Sequence, residues 1–592
     1  MMKRFILAAL SLVVAHGFSL AQDQSNLSYP SDPDTQVQPG VPQGEVLHFT
    51  LDDSKIYPGT QREYWVYVPA QYDPAQPACL FFDLDGVQFN APVVFDNLIH
   101  KKEIPVTIGV FVGSGTVIDS AGFPVRYNRS FEFDAVNDDF VRFIETELLP
   151  DVELKKASDG RPIRISKNGK DRAIAGCSSG GIGAFTAAWE RPDLFSRVYS
   201  CIGTFVGMRG GDRYPVLIRK TEPKPIRVFL QDGSKDTWNP LFGSWFKGNL
   251  DMEAALSFAG YEVGHAWGEG GHDGVQGTAI FPDVIRWLWR GWPNPVGGGQ
   301  SGNDMQRSIL IPGETWVSID SSYRSVKAVA ADRQGDVYFS DSLSRSVCRL
   351  DSAGTVVPFV ADAAPCDGLA VAKDGRLLAF GSGKTGITAY GPEEKPSQML
   401  KKIRPSGLFA VGDGNLYVAE AGAGREPGGT IGLLRADGDW GKVADGLNAP
   451  SALAMSPDRK LLFACDRQSH WIYGYLVGPD GSLRYGQRFY WLHVSESNDG
   501  TPDSSGASAM AVDRDGNLYV ATRMGVQVAD RNGRVRAILT LPEGGVTSLC
   551  FGGADFDTLY IVCDGRLYKR KMKLPGVPPL AEPFELSPGG AG

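Results

Sequence analysis

The sequence predicts two joined folds: a mostly parallel, doubly wound α/β sheet, followed by a six-bladed β-propeller. Three observations predict them. Apolar strand-like runs alternate with helical patterns over the first half of the chain. A polar turn followed by a β-rich run recurs six times over the second half. Between the halves lies NPVGGGQSGND, residues 294–304, whose Gly and Ser content reads as a flexible interdomain linker.

The bulk numbers agree with two folded bodies. At 592 residues the chain exceeds what one core usually serves. Hydrophobic content of 42% and charged content of 21% exclude a disordered chain. A net charge of -9 argues against nucleic acid as a partner. The 8 cysteines are too sparse for a disulfide scaffold, and no C-x-x-C suggests zinc or redox chemistry. The first residues, MMKRFILAALSLVVAHGFSLAQ, combine basic Lys3 and Arg4, an apolar run from Phe5 to Ala15, and small residues at Ser19-Leu20-Ala21. That pattern predicts a signal peptide over 1–21 and a secreted or periplasmic protein with no membrane span. Residues 22–44 read as a disordered, Pro-rich spacer. The domains are then 45–293 and 306–575, with a linker over 294–305 and a flexible tail over 576–592.

In the first domain REYWVYVP, ACLFFDL and PVTIGVFVG read as strands, and FDAVNDDFVRFIETELLPDV as a helix. DRAIAG is a short strand, GIGAFTAAWERPDLF a helix, RVYSCIG and PIRVFLQ strands, and FPDVIRWLWRGW a closing helix. In the second domain the repeated phrases are DRQGDVYFSDS, AKDGRLLAFGS, VGDGNLYVAEA, SPDRKLLFACD, DRDGNLYVATR and ADFDTLYIVCD. The first three are spaced by roughly 40 residues, the period of a four-stranded blade.

The chemistry concentrates in AGCSSGG. Gly176-Cys177-Ser178-Ser179-Gly180 is a G-x-S-x-G between a strand and a Gly/Ala-rich helix. Such a turn lifts the Ser178 hydroxyl above the sheet and leaves the Ser179 N–H at a helix N-terminus, where it can meet an oxyanion. A serine needs a base. His265 falls in a strand-like run, whereas His272 sits in the loop GEGGHDG and is favoured. The acid follows the strand IRVFL in QDGSKDTW, which offers Asp232 and Asp236. Asp273 reads as a turn residue. The chain order Ser…Asp…His is that of an α/β hydrolase.

On these segments, with REYWVYVPAQYD, FFDLDGVQF, YNRSFEF, ERPDLF and GGHD, the first domain resembles the putative-esterase family. That family includes esterase D, feruloyl and acetylxylan esterases, enterochelin esterase and the mycolyltransferases. The resemblance implies the acid of a G-[ST]-x-D phrase, so Asp236 is preferred to Asp232. It also makes the N–H of Val87, after the Asp85-Gly86 turn, the second oxyanion donor. Trp238, Trp267 and Arg129 are candidate substrate contacts. The implied activity is serine ester hydrolysis without a cofactor, acting on acetyl or feruloyl groups of carbohydrates. A siderophore-type ester hydrolase is the alternative on the same triad.

The blade phrases and VTSLCFGGADFDTLYIVCDGRLYKRKM resemble the gluconolactonase and senescence-marker (regucalcin) propellers. That family holds one divalent cation with Glu, Asn and Asp ligands. Its Glu position falls here near Lys327, its Asn position at Ser451 and its Asp position at Ser508. Asp367 is the one carboxylate at an equivalent site, and Glu420 could contribute a further ligand. The expectation is an accessory or binding propeller without metal. A metal-dependent sugar lactonase fused to the esterase is the alternative.

Overall fold

The computed structural model describes residues 29–586, apart from 31, 321, 352, 364–365, 382–384, 392–394, 423–427, 497–503 and 543. The segment read as a signal peptide lies outside the described residues, as does part of the insertion before the fifth repeat. The chain divides into two compact units, Met1–Val216 with Lys224–Gln300, and Leu217–Pro223 with Ser301–Gly592.

The first unit is built on one sheet. Its strands are β1 (Glu45–Leu51), β2 (Thr60–Val68), β3 (Cys79–Leu84), β4 (Thr107–Val112), β5 (Thr116–Ile118), β6 (Pro124–Tyr127), β7 (Arg172–Cys177), β8 (Arg197–Cys201), β9 (Arg227–Gly233) and β12 (Glu262–Gly268). A separate ribbon pairs β10 (Trp238–Asn239) with β11 (Gly243–Ser244). The sheet order is β12-β9-β8-β7-β3-β4-β2-β5-β6, with β1 also on β2. From β12 to β4 every pairing is parallel, while β2 runs antiparallel to β4 and β1. Every residue of β3, β4 and β8 is buried, which is why these central strands read as unbroken apolar runs.

Helices cover both faces. On one side α1 (Ala91–His100) and α4 (Phe281–Trp289) close an aromatic core of Phe81, Phe89, Phe95, Tyr199 and Phe281. On the other, α2 (Ser179–Glu190) is buried at every residue but Glu190. Only small and apolar residues suit a helix with no wet face. Phe185 of α2 meets Phe205 and Tyr214 edge-on. The fourth long helix, α3 (Trp245–Phe258), packs on β9 and β12.

Three sequence expectations need correction. The single helix expected over 133–152 is broken into Arg129–Phe133, Asp139–Phe143, a wide turn over Ile144–Leu148, and Leu149–Glu153. The Asn137 side-chain oxygen Oδ1 accepts the Asp139 N–H at the break, a local bond that competes with the helix. The described end of the spacer is docked: Asp34 is buried against Lys101 and Arg286, and Asn97 bonds the carbonyls of Asp34 and Gln36. The linker is also ordered, with Val296 buried and Asn303 capping the helix Asp304–Ile309.

The second unit contains six four-stranded blades. Their inner strands are Val326–Ala331, Gly368–Val371, Pro405–Ala410, Pro450–Met455, Ala509–Val512 and Val546–Gly552. Each recurring phrase forms the turn into, and then the body of, a second strand. The Asp of the phrase explains the turn: Asp332 Oδ1 accepts the N–H of Gln334 and Asp336, and Asp513 Oδ1 accepts those of Asp515 and Asn517. The last blade is completed by Val317–Ser318, which pairs with Arg566–Lys571 and closes the ring across the sequence. Residues 576–580, expected in a flexible tail, are packed. The Val577 N–H bonds Val512 O at 2.9 Å, and Val577, Pro578, Pro579 and Leu580 plug one end of the central channel.

Candidate active site

Ser178 sits between β7 and α2 with φ 59° and ψ -119°, a left-handed strain stored at the tip of the turn. The turn closes so tightly that a Cβ on Gly176 would lie 2.5 Å from the Gly180 backbone. A Cβ on Gly180 would lie 3.1 Å from Asp85 Oδ2, so the Asp85-Gly86 loop abuts the serine turn. Close approach therefore demands glycine at 176, and at 180 it leaves a Cβ little room. The Ser178 backbone is held by its N–H to Cys201 O (2.9 Å) and by its carbonyl to Thr204 N–H (3.1 Å).

The three side chains nominated from the sequence meet in one hydrogen-bonded chain. His272 Nε2 is 2.8 Å from Ser178 Oγ, and His272 Nδ1 is 2.7 Å from Asp236 Oδ1. Distant parts of the chain are brought together by two short loops past the strand ends. The acid loop after β9 and the histidine loop after β12 are laced by Ser234 N–H to Gly268 O (2.8 Å) and Lys235 N–H to Gly270 O (3.0 Å). Asp236 also accepts the Thr237 N–H. Burial alone would raise the Asp236 carboxyl, but hydrogen bonds from His272 and Asp232 outweigh it and hold it below the usual carboxylate range. His265, the other histidine of the region, is stacked on Trp267 at 4.9 Å on edge strand β12.

The two nominated oxyanion donors lie on the abutting turns. Ser179 is the first residue of α2, where the N–H has no intrahelical acceptor. Val87 follows Asp85 and Gly86, which have positive φ and both donate their N–H to Val112 O.

The nominated substrate contacts fare differently. Trp238 is 68% exposed on the β10–β11 ribbon, two residues past Asp236. Trp267 packs between His265 and Phe246. Arg129, expected on the substrate wall, serves as a brace while its side chain stays 40% exposed. Its guanidinium forks onto Asp85 (2.8 and 2.7 Å) and also donates to Ser179 Oγ (3.0 Å) and Cys177 O (3.3 Å). It thus ties the Val87 loop to the serine turn. Its commitment could not be read from the sequence, because Asp85 and Arg129 are 44 positions apart. We expect Arg129→Ala to lower kcat by about 10–100-fold with KM nearly unchanged, measured on a short ester.

Two further neighbours complete the site, and of these sequence reasoning missed Thr204. Thr204 Oγ1 is 3.4 Å from Ser178 Oγ and accepts the Trp245 Nε1–H at 3.2 Å. The Trp245 ring meets His272 edge-on at 5.9 Å. The buried Trp245 thus shields the imidazole while its N–H fixes the threonine. Nothing in the sequence spacing distinguishes Trp245 from a core residue.

In the second unit, the channel end away from the plug opens into a cavity of about 1000 Å³. Lys327, Asp367, Ser451 and Ser508 all line it, with Arg404, Arg467 and Asp564. A divalent cation takes several oxygen ligands with carboxylates among them. Here the set is dominated by an ammonium, two guanidinium groups and hydroxyls, and Ser451 Oγ is committed to Ala507 O at 2.6 Å. Among the described residues no group of three or more His, Cys, Asp or Glu could hold a metal. The donor set does not fit a divalent cation.

Comparison with known proteins divides at the same place. Residues 56–243 match the family model described as "Putative esterase", and residues 328–564 match "SMP-30/Gluconolactonase/LRE-like region". The first match includes Ser178 and Asp236 and ends before His272. Regucalcin of Xenopus laevis is 27% identical over 255 residues, covering 40% of this chain and 81% of that protein. Pentonolactonase XacC of Haloferax volcanii is 26% identical over 203 residues, covering 33% and 67%. Among solved structures, the enterobactin esterase of Shigella flexneri aligns at 21% identity and TM-score 0.32, covering 42% of this chain and 61% of that one.

Proposed function

Given that this chain fuses an esterase-family domain to an SMP-30/gluconolactonase-like propeller, we propose that the first domain is an exported serine hydrolase of carboxylic esters. The observation that carries the reading is the continuous chain Ser178 Oγ–His272–Asp236. In this mechanism His272 Nε2 takes the Ser178 proton as Oγ attacks the ester carbonyl. The N–H groups of Val87 and Ser179 hold the oxyanion. His272 then returns its proton to the leaving alcohol, and an acyl-enzyme remains on Ser178. Water, deprotonated by the same imidazole, releases the acid. Asp236 keeps Nδ1 protonated and faces the imidazolium that forms.

For substrate, we place acetyl or feruloyl esters of carbohydrates first. The exposed Trp238 ring beside the acid loop offers the apolar face on which sugars and phenolic rings stack. The cation nearest the serine turn is spent on Asp85, which leaves less for an anionic siderophore ester. Release of acetate from acetylated xylan and of ferulate from feruloylated arabinose tests this. Faster turnover of a cyclic catecholate ester would favour the siderophore reading instead. Export rests on the N-terminal basic and apolar run, and fractionation of the producing cell checks it.

We infer that the propeller serves as a binding or supporting module that needs no metal. The likeness to regucalcin and a pentonolactonase favours a second reading, a metal-dependent lactonase. The cavity composition decides our preference. We expect hydrolysis of glucono-δ-lactone and pentonolactones to stay at the background rate with added Ca²⁺, Zn²⁺ or Mn²⁺. We also expect metal analysis to find less than stoichiometric cation. A metal-stimulated rate that survives Ser178→Ala would establish the lactonase.

A further inference from the structure

Behind the Ser178–His272–Asp236 chain lies a second carboxyl. Asp232 is the last residue but one of β9, and its side chain is out of contact with solvent. Its Oδ1 accepts the Gly233 N–H (2.6 Å), and its Oδ2 accepts Asn249 Nδ2–H (2.8 Å) from α3. The Asn249 amide is itself fixed by donation to Gly203 O (2.9 Å) and Trp245 O (3.1 Å). On the Asp236 side, Oδ1 is filled by His272 and the Thr237 N–H. Asp236 Oδ2 is buried and receives no N–H or hydroxyl. Its carboxyl is nevertheless in hydrogen-bond contact with the carboxyl of Asp232. Two carboxylates are both acceptors and cannot bond each other, so one of the pair must carry a proton. Asp236 faces an imidazole N–H. Asp232 faces a backbone N–H and the neutral Asn249 amide.

We propose that Asp232 is a positioning residue: a neutral carboxylic acid that donates to Asp236 Oδ2 and so aims the Asp236 carboxylate at His272. This deepens the proposed serine-hydrolase reading and rests on it. The proton has a second consequence. It keeps the buried pair at one negative charge, so the imidazolium formed in the reaction meets one counter-charge. The titratable groups around Asp232 agree with this placement. They are Asp236 on its own loop, His272 beyond Asp236, and Cys201 on β8, with only the neutral Asn249 from α3. Burial, the hydrogen bond to Asp236 and the charge of Asp236 push Asp232 up to about 10. The pair therefore carries one charge below that pH and two above it. Above it, repulsion replaces the hydrogen bond and Asp236 loses its anchor.

The test is the pH dependence of kcat and KM on p-nitrophenyl acetate, from pH 5 to 11, for the full chain and for Asp232→Asn and Asp232→Leu. Asn keeps an N–H donor for Asp236 Oδ2 and cannot ionise. We expect it to stay within about threefold of wild-type kcat at pH 8 and to lack the alkaline fall near pH 10. Leu keeps the volume without the donor, and we expect kcat to drop by about 10–100-fold at nearly constant KM. The idea is overturned if Asp232→Asn retains the alkaline fall, or if it loses as much kcat as Asp232→Leu. Should Asp232→Leu not fold, the Asp232→Asn profile alone decides. Ser178→Ala separates the two levels. Wild-type rates in that variant would sink the triad and Asp232 together. An inactive Ser178→Ala beside an Asp232→Asn profile like wild type would sink only the role of Asp232.

Discussion

Ser178→Ala is expected to cut kcat/KM on short p-nitrophenyl esters by about 10⁴-fold or more, equivalent to roughly 5.5 kcal/mol of transition-state stabilisation. The reason is specific to this geometry. His272 Nε2 is 2.8 Å from Ser178 Oγ, so the hydroxyl is the one atom placed both to attack and to lose its proton. The alanine keeps the turn, because the strained φ of residue 178 and the two close-packed glycines do not depend on the hydroxyl. Residual activity from the oxyanion donors and binding is expected to remain. The check is stopped-flow kinetics. Wild type should show a burst of p-nitrophenol stoichiometric with enzyme, and the variant none. A variant with wild-type turnover would remove Ser178 from the mechanism.

Glu132→Ala is expected to destabilise the first unit by about 3–5 kcal/mol. Glu132 and Arg62 form a doubly bonded ion pair with both side chains 0% exposed. Glu132 also takes the Gly115 N–H (3.1 Å) and Asn128 Nδ2–H (3.2 Å). Removing it leaves the Arg62 guanidinium buried without its counter-charge, 4.2 Å over the Phe143 ring. Calorimetry of the full chain should show the transition of this unit moved down by about 10 °C, with the propeller transition in place. The double variant Arg62→Met/Glu132→Leu should recover much of the loss, because no charge is then stranded. If the single variant melts like wild type, the pair contributes nothing. The effect reaches the site as well, since Glu132 anchors the short helix Arg129–Phe133 that carries the Arg129 brace.

Much of the architecture could be read in advance because local chemistry encodes it. Buried parallel strands must be apolar on both faces, so CLFFDL and TIGVFV stand out in the sequence. Polar turns in which an Asp accepts backbone N–H groups recur before the second strands of the first five blades, so the repeat is visible in the sequence. The weaker strands were lost for the same reason. β1 is half exposed along its length, and β5 and β6 are short, so neither carries a strong pattern.

At the site, residue type and order were enough to nominate Ser178, Asp236 and His272, because an elbow needs its glycines and acid and base follow successive strands. Burial and long-range pairing settled the rest. The sequence could not show that Arg129 spends its charge on Asp85, that Trp245 covers His272, or that residues 577–580 plug the channel. Nor could it rank Asp232 against Asp236 except by resemblance. The fold separates them: one carboxyl lies near the strand end, bonded to the Gly233 N–H and the Asn249 amide, while the other reaches the imidazole. A charge state depends on what surrounds a group in space. Neighbours in the chain do not supply that information, and here they are identical acids four residues apart.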